Sequence, residues 1–323
     1  MKYVFEDHYP LFKCTASKCP DTCCKGWEII INPDTYEQYK YYDTEFGKTI
    51  IEKIRLDEDS DAVFIQKNSR CPFLNENNLC DIIINEGENA LCEVCRQHPR
   101  FVEEYGGITE ISLSLSCPAV IDILKDKTSL TFYNTKETDE EPEYIIDDPL
   151  LPALFGLREK LFHIIEQSSL ENSLSLIYSL ALKFQNLIDA DDYSNAESLT
   201  PEVCRIKEYD YHKILSNLEI LTDEWREVLN SEKNDPEDIS ENNILLKNIL
   251  SYFVYRYIPK AINDGDIVSK AEFIIFSLNS IIRYAKRNKS SLTQKAKIAY
   301  TARLYSKEIE HDPDNIETII NMI

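Results

Sequence analysis

Nine of the chain's ten cysteines fall between Cys14 and Cys117, with Cys204 alone outside, and this crowding constrains the fold more than any other feature. In order they are Cys14, Cys19, the adjacent Cys23 and Cys24, Cys71, Cys80, Cys92, Cys95 and Cys117. Thiolates are soft donors that suit zinc and iron-sulfur clusters, and short-range groups brought together by a fold can share a metal between them. Cytosolic thiols are normally kept reduced, and an odd number inside the block fits disulfide pairing poorly. A closed zinc tetrahedron would be served by Cys19, Cys23, Cys92 and Cys95. An iron-sulfur cluster also takes about four thiolates but tolerates wider, irregular spacing. A reactive thiol needs a basic neighbour, and Arg96 beside Cys95 is the obvious local choice. Neighbouring side chains diverge, so one of Cys23 and Cys24 is expected to face elsewhere; surplus thiols would be core residues or a second site.

Composition narrows the partners. With 57 acidic against 35 basic side chains the formal charge is -22, so the field repels nucleic-acid phosphates and anionic lipid headgroups and attracts cations. A basic substrate is expected, with no nucleic acid and no membrane. The start, MKYVFEDHYP, lacks the basic and apolar regions of a signal peptide. The most apolar stretch, residues 244–258, is interrupted by Lys247, Asn248 and Arg256, so it does not read as a spanning helix. A cytoplasmic protein is expected. Among only seven glycines there is no G-x-G-x-x-G and no P-loop, and Gly26 stands where a C-x3-C-x2-C motif would need its third cysteine. His98, the one histidine near the cysteines, reads as a helix-end or surface residue. Nothing in the sequence points to an oligomeric state.

Hydrophobic periodicity supplies the elements. Strands are expected at residues 28–31, 62–66 and 129–134, and helices at 35–42, 44–55 and 117–125. CPFLNENNLC sets Cys71 and Cys80 on either side of an Asn-rich turn, and Cys92 and Cys95 share one helical face. Gly106-Gly107 between alternating runs at 101–105 and 108–115 signals a hairpin that returns Cys117 to the other cysteines. The acid-rich residues 136–148 read as a linker. Beyond them, apolar residues recurring at three and four give helices at 152–167, 170–187, 209–229, 242–262, 267–287 and 292–309, with polar loops near 190–201 and 231–238. The expected fold is mainly α: a cysteine-rich metal-binding domain with a small β-hairpin at 1–135, an acidic linker at 136–150, and an α-helical domain at 151–323.

Four runs, FKCTASKCPDTCCKGW, CPFLNENNLC, LCEVCRQHPR and SLSLSCPAV, occur in order with compatible spacing and resemble the flagellin lysine-N-methylase family. That family's N-terminal part is similar in turn to a broader group of zinc- or iron-chelating cysteine-cluster proteins. YFVYRYIPKAINDGDI, residues 252–267, resembles the family's second recurring block, whereas residues 122–240 add little. His98 departs from the pattern, which has an aromatic residue before the Pro-Arg, but this touches packing rather than the thiolates. The resemblance implies a bacterial enzyme that moves a methyl group from S-adenosylmethionine to the ε-amine of flagellin lysines and carries a [4Fe-4S] cluster, with zinc as the alternative metal. The cysteines shared with the broader group map to Cys19, Cys23, Cys71, Cys80 and Cys95. Cys19, Cys23, Cys80 and Cys95 are the first-choice ligands, with Cys71 and Cys92 next.

The chemistry of such a transfer points to further residues. A lysine ammonium has no lone pair, so a site must favour the neutral amine and align it with the departing sulfur. Aromatic faces and carboxylates hold a sulfonium cation. Tyr255, Asp264 and Asp266 are therefore candidates for catalytic contacts to donor or amine, and Tyr252 and Arg256 for donor binding, Arg256 through the donor's carboxylate. Against this, tyrosines on an apolar helix are usually core, NDGD is usually a turn, and Arg256 serves equally as a salt-bridge residue. A second functional class also fits the sequence: a non-enzymatic zinc- or iron-binding scaffold that engages a basic partner.

Overall fold

The computed structural model describes residues 1–57, 59–231 and 244–323. The loop expected at 231–238, Ser231 apart, and the first residues of the helix expected at 242–262 lie outside the described residues. In chain order the elements begin with β1 (Lys2–Glu6), β2 (Ile30–Ile31), α1 (Pro33–Lys40), α2 (Glu45–Ile51), β3 (Ile54–Leu56), β4 (Ala62–Phe64), α3 (Asp81–Glu86) and α4 (Glu93–Gln97). They continue with β5 (Arg100–Tyr105), β6 (Ile108–Leu113), α5 (Pro118–Asp126), β7 (Tyr133–Glu137), α6 (Leu150–Gln167), α7 (Leu170–Ala190), α8 (Tyr211–Ser216) and α9 (Asp223–Leu229). The last are α10 (Ile244–Tyr257), α11 (Ile267–Arg287), α12 (Gln294–Ile309) and α13 (Pro313–Met322). The fold is mainly helical, and among the described residues no helix is long and apolar enough to cross a membrane.

Contacts divide the chain into two compact units. A larger unit holds Met1–Leu11, Val102–Ser116 and Val120–Ile323, and a cysteine unit holds Phe12–Phe101 and Cys117–Ala119. This division falls at other points than the acidic stretch, because the first strand and the hairpin join the helical part of the chain.

In the larger unit the long helices follow the apolar periodicity, packing Ile249, Phe253, Ile274, Leu278 and Tyr305 into one core. Side chains placed just ahead of the first turns satisfy free backbone N–H groups: Ser169 accepts from Asn172 N at 3.3 Å and Thr293 from Ala296 N at 3.3 Å. The stretch expected as one helix at 209–229 is two, because Asp210 caps α8 and Thr222 caps α9. The helix running up to Ile262 stops at Tyr257 and tightens into a 3-10 turn, Ile258–Ile262, around Pro259.

The larger unit's sheet has the order β5-β6-β1-β7. The β5–β6 hairpin turns as expected at Gly106, whose φ of 63° favours glycine. It pairs within this sheet, and from Val102 onward it falls in the larger unit, whereas the expected placement put the whole hairpin with the cysteines. The opening strand β1, not anticipated, runs parallel to β6 and antiparallel to β7, pairing Val4 with Glu110 and with Thr135. The strand expected at 129–134 starts later, at Tyr133, and so extends into the acidic stretch.

Charges are buried where this sheet meets the helices. Glu110 on β6 accepts two bonds of 2.6 Å from the Arg158 guanidinium of α6, and Arg158 also donates to the Tyr255 carbonyl at 3.2 Å. Both side chains are almost fully buried.

The cysteine unit is built on the antiparallel sheet β2-β4-β3. The helix expected at 44–55 ends at Ile51 because residues 54–56 pair with β4. Phe73 packs edge-on against Phe64 and Phe46, with ring centres 5.2 and 6.0 Å away, and Tyr39 donates to the Ala90 carbonyl at 2.7 Å. His98 takes an aromatic role after all, its ring lying 5.5 Å from that of Trp27.

Removing one partner of a buried pair leaves an uncompensated charge. Arg158→Ala or Glu110→Ala is expected to lower unfolding stability by about 3–5 kcal/mol in urea titrations. A loss below about 1 kcal/mol, as at an exposed pair, would contradict the burial of this pair.

Candidate functional site

Backbone pairing gathers the thiols of the cysteine unit. The Cys71 N–H donates to the Cys24 carbonyl at 2.8 Å and the Gly26 N–H to Ser69 at 2.9 Å, so the CC step lies alongside the start of CPFLNENNLC. The Asn75 side chain accepts from Asn77 N and Leu79 N, at 2.9 and 3.0 Å, and folds the Asn-rich turn. A bridge between Leu74 and Cys80 then returns Cys80 toward Cys71. Cys92 stands just ahead of α4 and Cys95 on its first turn, as their spacing predicts.

These side chains share one electrostatic neighbourhood. Burial pushes the Cys71 thiol up to about 12, with Cys24, Cys80 and Cys92 adding to the effect. Cys80 is raised by burial and by Cys24, against backbone N–H groups of Ile83 and Ile82 that favour its thiolate. Cys92 and Cys95 share a hydrogen bond that lowers the first and raises the second, and Cys95 is raised further by burial, Cys24 and Cys71. Cys24, Cys71, Cys80, Cys92 and Cys95 thus form one group. Cys23, exposed at the surface, is raised first by its hydrogen bond with Cys24, and Cys14 and Cys117 add to the effect. Cys19, half-exposed after the turn Ala16–Lys18, is not among the principal neighbours of these thiols.

All ten cysteines are free thiols. Among the described residues no group of three or more His, Cys, Asp or Glu is set to hold a metal ion. A tetrahedral zinc with bonds of about 2.3 Å needs thiolates converged on a single point. Five neighbouring soft donors are nonetheless the chemistry that a four-thiolate iron-sulfur cluster draws on. Cys24 was not picked out by the sequence; adjacency signalled that Cys23 and Cys24 diverge, but not which one turns toward Cys71.

The second block separates into two environments. Tyr255 is buried: its hydroxyl donates to the Val4 carbonyl at 3.0 Å, and its ring stacks on Tyr133 with centres 4.1 Å apart. Tyr252 donates to the Glu310 carboxylate at 3.0 Å, and Arg256 donates to the Tyr252 hydroxyl at 2.8 Å while forming an ion pair with Glu310. Burial raises all three tyrosines, Tyr252, Tyr255 and Tyr257. Glu6 on β1 lies in the same interior; burial pushes it up to about 8, opposed by a 3.0 Å bond from the Leu113 N–H and by the Arg256 charge. Asp264 and Asp266 are exposed. Asp264 pairs with Lys270 at 2.5 Å, and Asp266 caps α11 by accepting from Ser269 N at 2.9 Å. The structure therefore keeps Tyr252, Tyr255 and Arg256 in the core and sets the two aspartates at a helix start.

No family model and no solved structure matches the chain. The chain is 28% identical over 207 residues to a lysine-N-methylase of Salmonella typhimurium, a match covering 58% of this chain and 48% of that protein. A lysine-N-methylase of Salmonella choleraesuis matches to the same extent. The chain is 30% identical over 139 residues to the flagellar biosynthetic protein FliU of Salmonella muenchen, covering 39% of this chain and 78% of that protein. It thus spans about half the length of the lysine-N-methylases it matches.

Two outcomes follow from the site's electrostatics. With its carboxyl at about 8 when folded against 4.5 when exposed, Glu6 binds an extra proton in the folded state between those values. Stability falls as pH rises from about 5 to about 8, and Glu6→Gln makes that fall shallower in urea titrations; an unchanged slope would exclude Glu6 as its source. Glu308, pushed to about 7 by burial, acts in the same direction and leaves a residual slope. In metal-free protein, iodoacetamide is expected to modify exposed Cys14 well before buried Cys71, and equal rates would contradict the packing.

Proposed function

Because the chain belongs to the lysine-N-methylase family, we propose that it is a protein-lysine N-methyltransferase that takes a methyl group from S-adenosylmethionine and passes it to flagellin lysines. The likeness to curated lysine-N-methylases carries this proposal, and the likeness to a flagellar biosynthetic protein supports flagellin as the substrate. The acidic excess of the chain, 57 against 35, favours the approach of a cationic amine.

Four of Cys24, Cys71, Cys80, Cys92 and Cys95 would hold a [4Fe-4S] cluster, with Cys24 taking precedence over the earlier choices Cys19 and Cys23. Their shared environment supports this set. When bound, the cluster supplies a thiolate-held centre whose potential depends on burial and on hydrogen bonds to sulfur. The transfer breaks the methyl–sulfur bond as the lone pair of a neutral amine forms the methyl–nitrogen bond, so the ammonium proton must leave first. Tyr252, Tyr255 and Arg256 brace the core by the contacts described above. Asp264 and Asp266 are the exposed members of the block and are proposed as contacts to the amine's positive charge.

The test uses the iron-replete chain, flagellin and methyl-labelled S-adenosylmethionine. Label is expected on flagellin lysines, and Cys24→Ala is expected to lower bound iron several-fold where Cys14→Ala does not. A stable complex with flagellin and no label on any lysine would identify a non-enzymatic scaffold instead.

A further inference from the structure

In a chain with 57 acidic and 35 basic side chains, one cavity of the larger unit reverses the balance. It has a volume of about 770 Å³ and lies between α7, α11 and the segment leading into α8. Five cations, Arg205, Lys207, Arg283, Lys286 and Arg287, line it against two acids, Glu171 and Glu208. Among the described residues none of the five cations forms an ion pair.

Aromatic faces hold three of the cations in place of carboxylates. Arg283 lies 4.6 Å from the centre of the Tyr211 ring, Arg287 5.0 Å from Tyr284, and Lys207 5.5 Å from Tyr209. Tyr211 is itself fixed by stacking on Phe276 at 5.0 Å. The wall that carries Arg205 and Lys207 is tied to α7 by Ser175, whose hydroxyl accepts from the Cys204 N–H and donates to the Cys204 carbonyl, both at 2.7 Å. Leu174, Ile206, Tyr211 and Ile282 supply an apolar lining beneath the charges. Like charges crowded in this way repel one another unless an anion lies between them, so the cavity is prepared for negative charge.

The reaction proposed above uses a sulfonium donor and a lysine amine, and this cavity repels cations, so it serves a different ligand. Its volume is that of a pocket for a small organic molecule. The combination of a cationic rim and an aromatic and aliphatic lining matches a molecule with several phosphate charges and a flat, weakly polar body. We propose that the cavity binds a small phosphorylated ligand of the nucleoside-polyphosphate class.

Isothermal titration of the full chain with ATP at low ionic strength tests this, independently of methyl transfer. Saturable one-site binding is expected, with Kd raised about tenfold or more by Lys286→Ala and by Arg205→Ala. Arg205 is exposed and neither cation forms an ion pair, so both variants should fold. Adenosine is expected to bind far more weakly than ATP, and pyrophosphate to compete with it. Absence of saturable ATP binding, or binding unchanged in both variants, would overturn the site. Inorganic phosphate binding as tightly as ATP would overturn the ligand class, as would a glutamate-rich peptide that displaces ATP at lower concentration.

Discussion

The cysteine unit depends on a group of thiols that cannot all ionise on their own. Burial and mutual repulsion push Cys71 up to about 12 and raise Cys80 and Cys95, so without a cation these side chains stay neutral. A metal centre removes that conflict, because it supplies the positive charge that several thiolates share. The rest of the unit is sparse. Two- and three-residue strands, short helices and a small core around Tyr39, Phe64 and Phe73 surround the thiols, and buried Cys71 and Cys92 are themselves part of that core. In the proposed holoprotein, ligand binding and the folding of this unit are therefore coupled.

The larger unit handles buried charge in the opposite way, by pairing it internally. Glu110 with Arg158, and Arg256 with Glu310 and Tyr252, bind β6, α6, α10 and the end of α12 together. Such pairs add little net stability over an apolar core, but each side chain fixes the position of the other because neither is tolerated alone. This is the physical reason that Tyr252, Tyr255 and Arg256 brace the unit: the two tyrosine hydroxyls and Nη1 of the guanidinium are directed at buried partners. Arg205, Lys207, Arg283, Lys286 and Arg287 lie elsewhere, around the cavity beside α7 and α11, and among the described residues none of them forms an ion pair.

What the sequence revealed follows the range of the interactions. Helices α6, α7, α11 and α12 were legible because their apolar periodicity is local, and the Gly106-Gly107 turn because glycine meets a local backbone demand. Strand β1 was not, since its partner residues on β6 lie more than a hundred positions away and MKYVFE carries no local sign of a parallel neighbour. The break between α8 and α9 was missed although Asp210 and Thr222 have capping chemistry, because apolar residues continue across it. At the thiols, the pairs Cys71 and Cys80, and Cys92 and Cys95, were legible from a turn and a helical spacing. Cys24 was decided by a backbone bond to Cys71, a contact between segments that neither segment announces.

The central claim is that buried thiols of the cysteine unit hold an iron-sulfur cluster in a methyl-transferring protein. Anaerobic purification followed by an absorption spectrum and iron and sulfide analysis tests it most directly. A brown protein with a broad visible band and about four iron and four sulfide per chain is the predicted result. A colourless protein that carries one zinc per chain would contradict it.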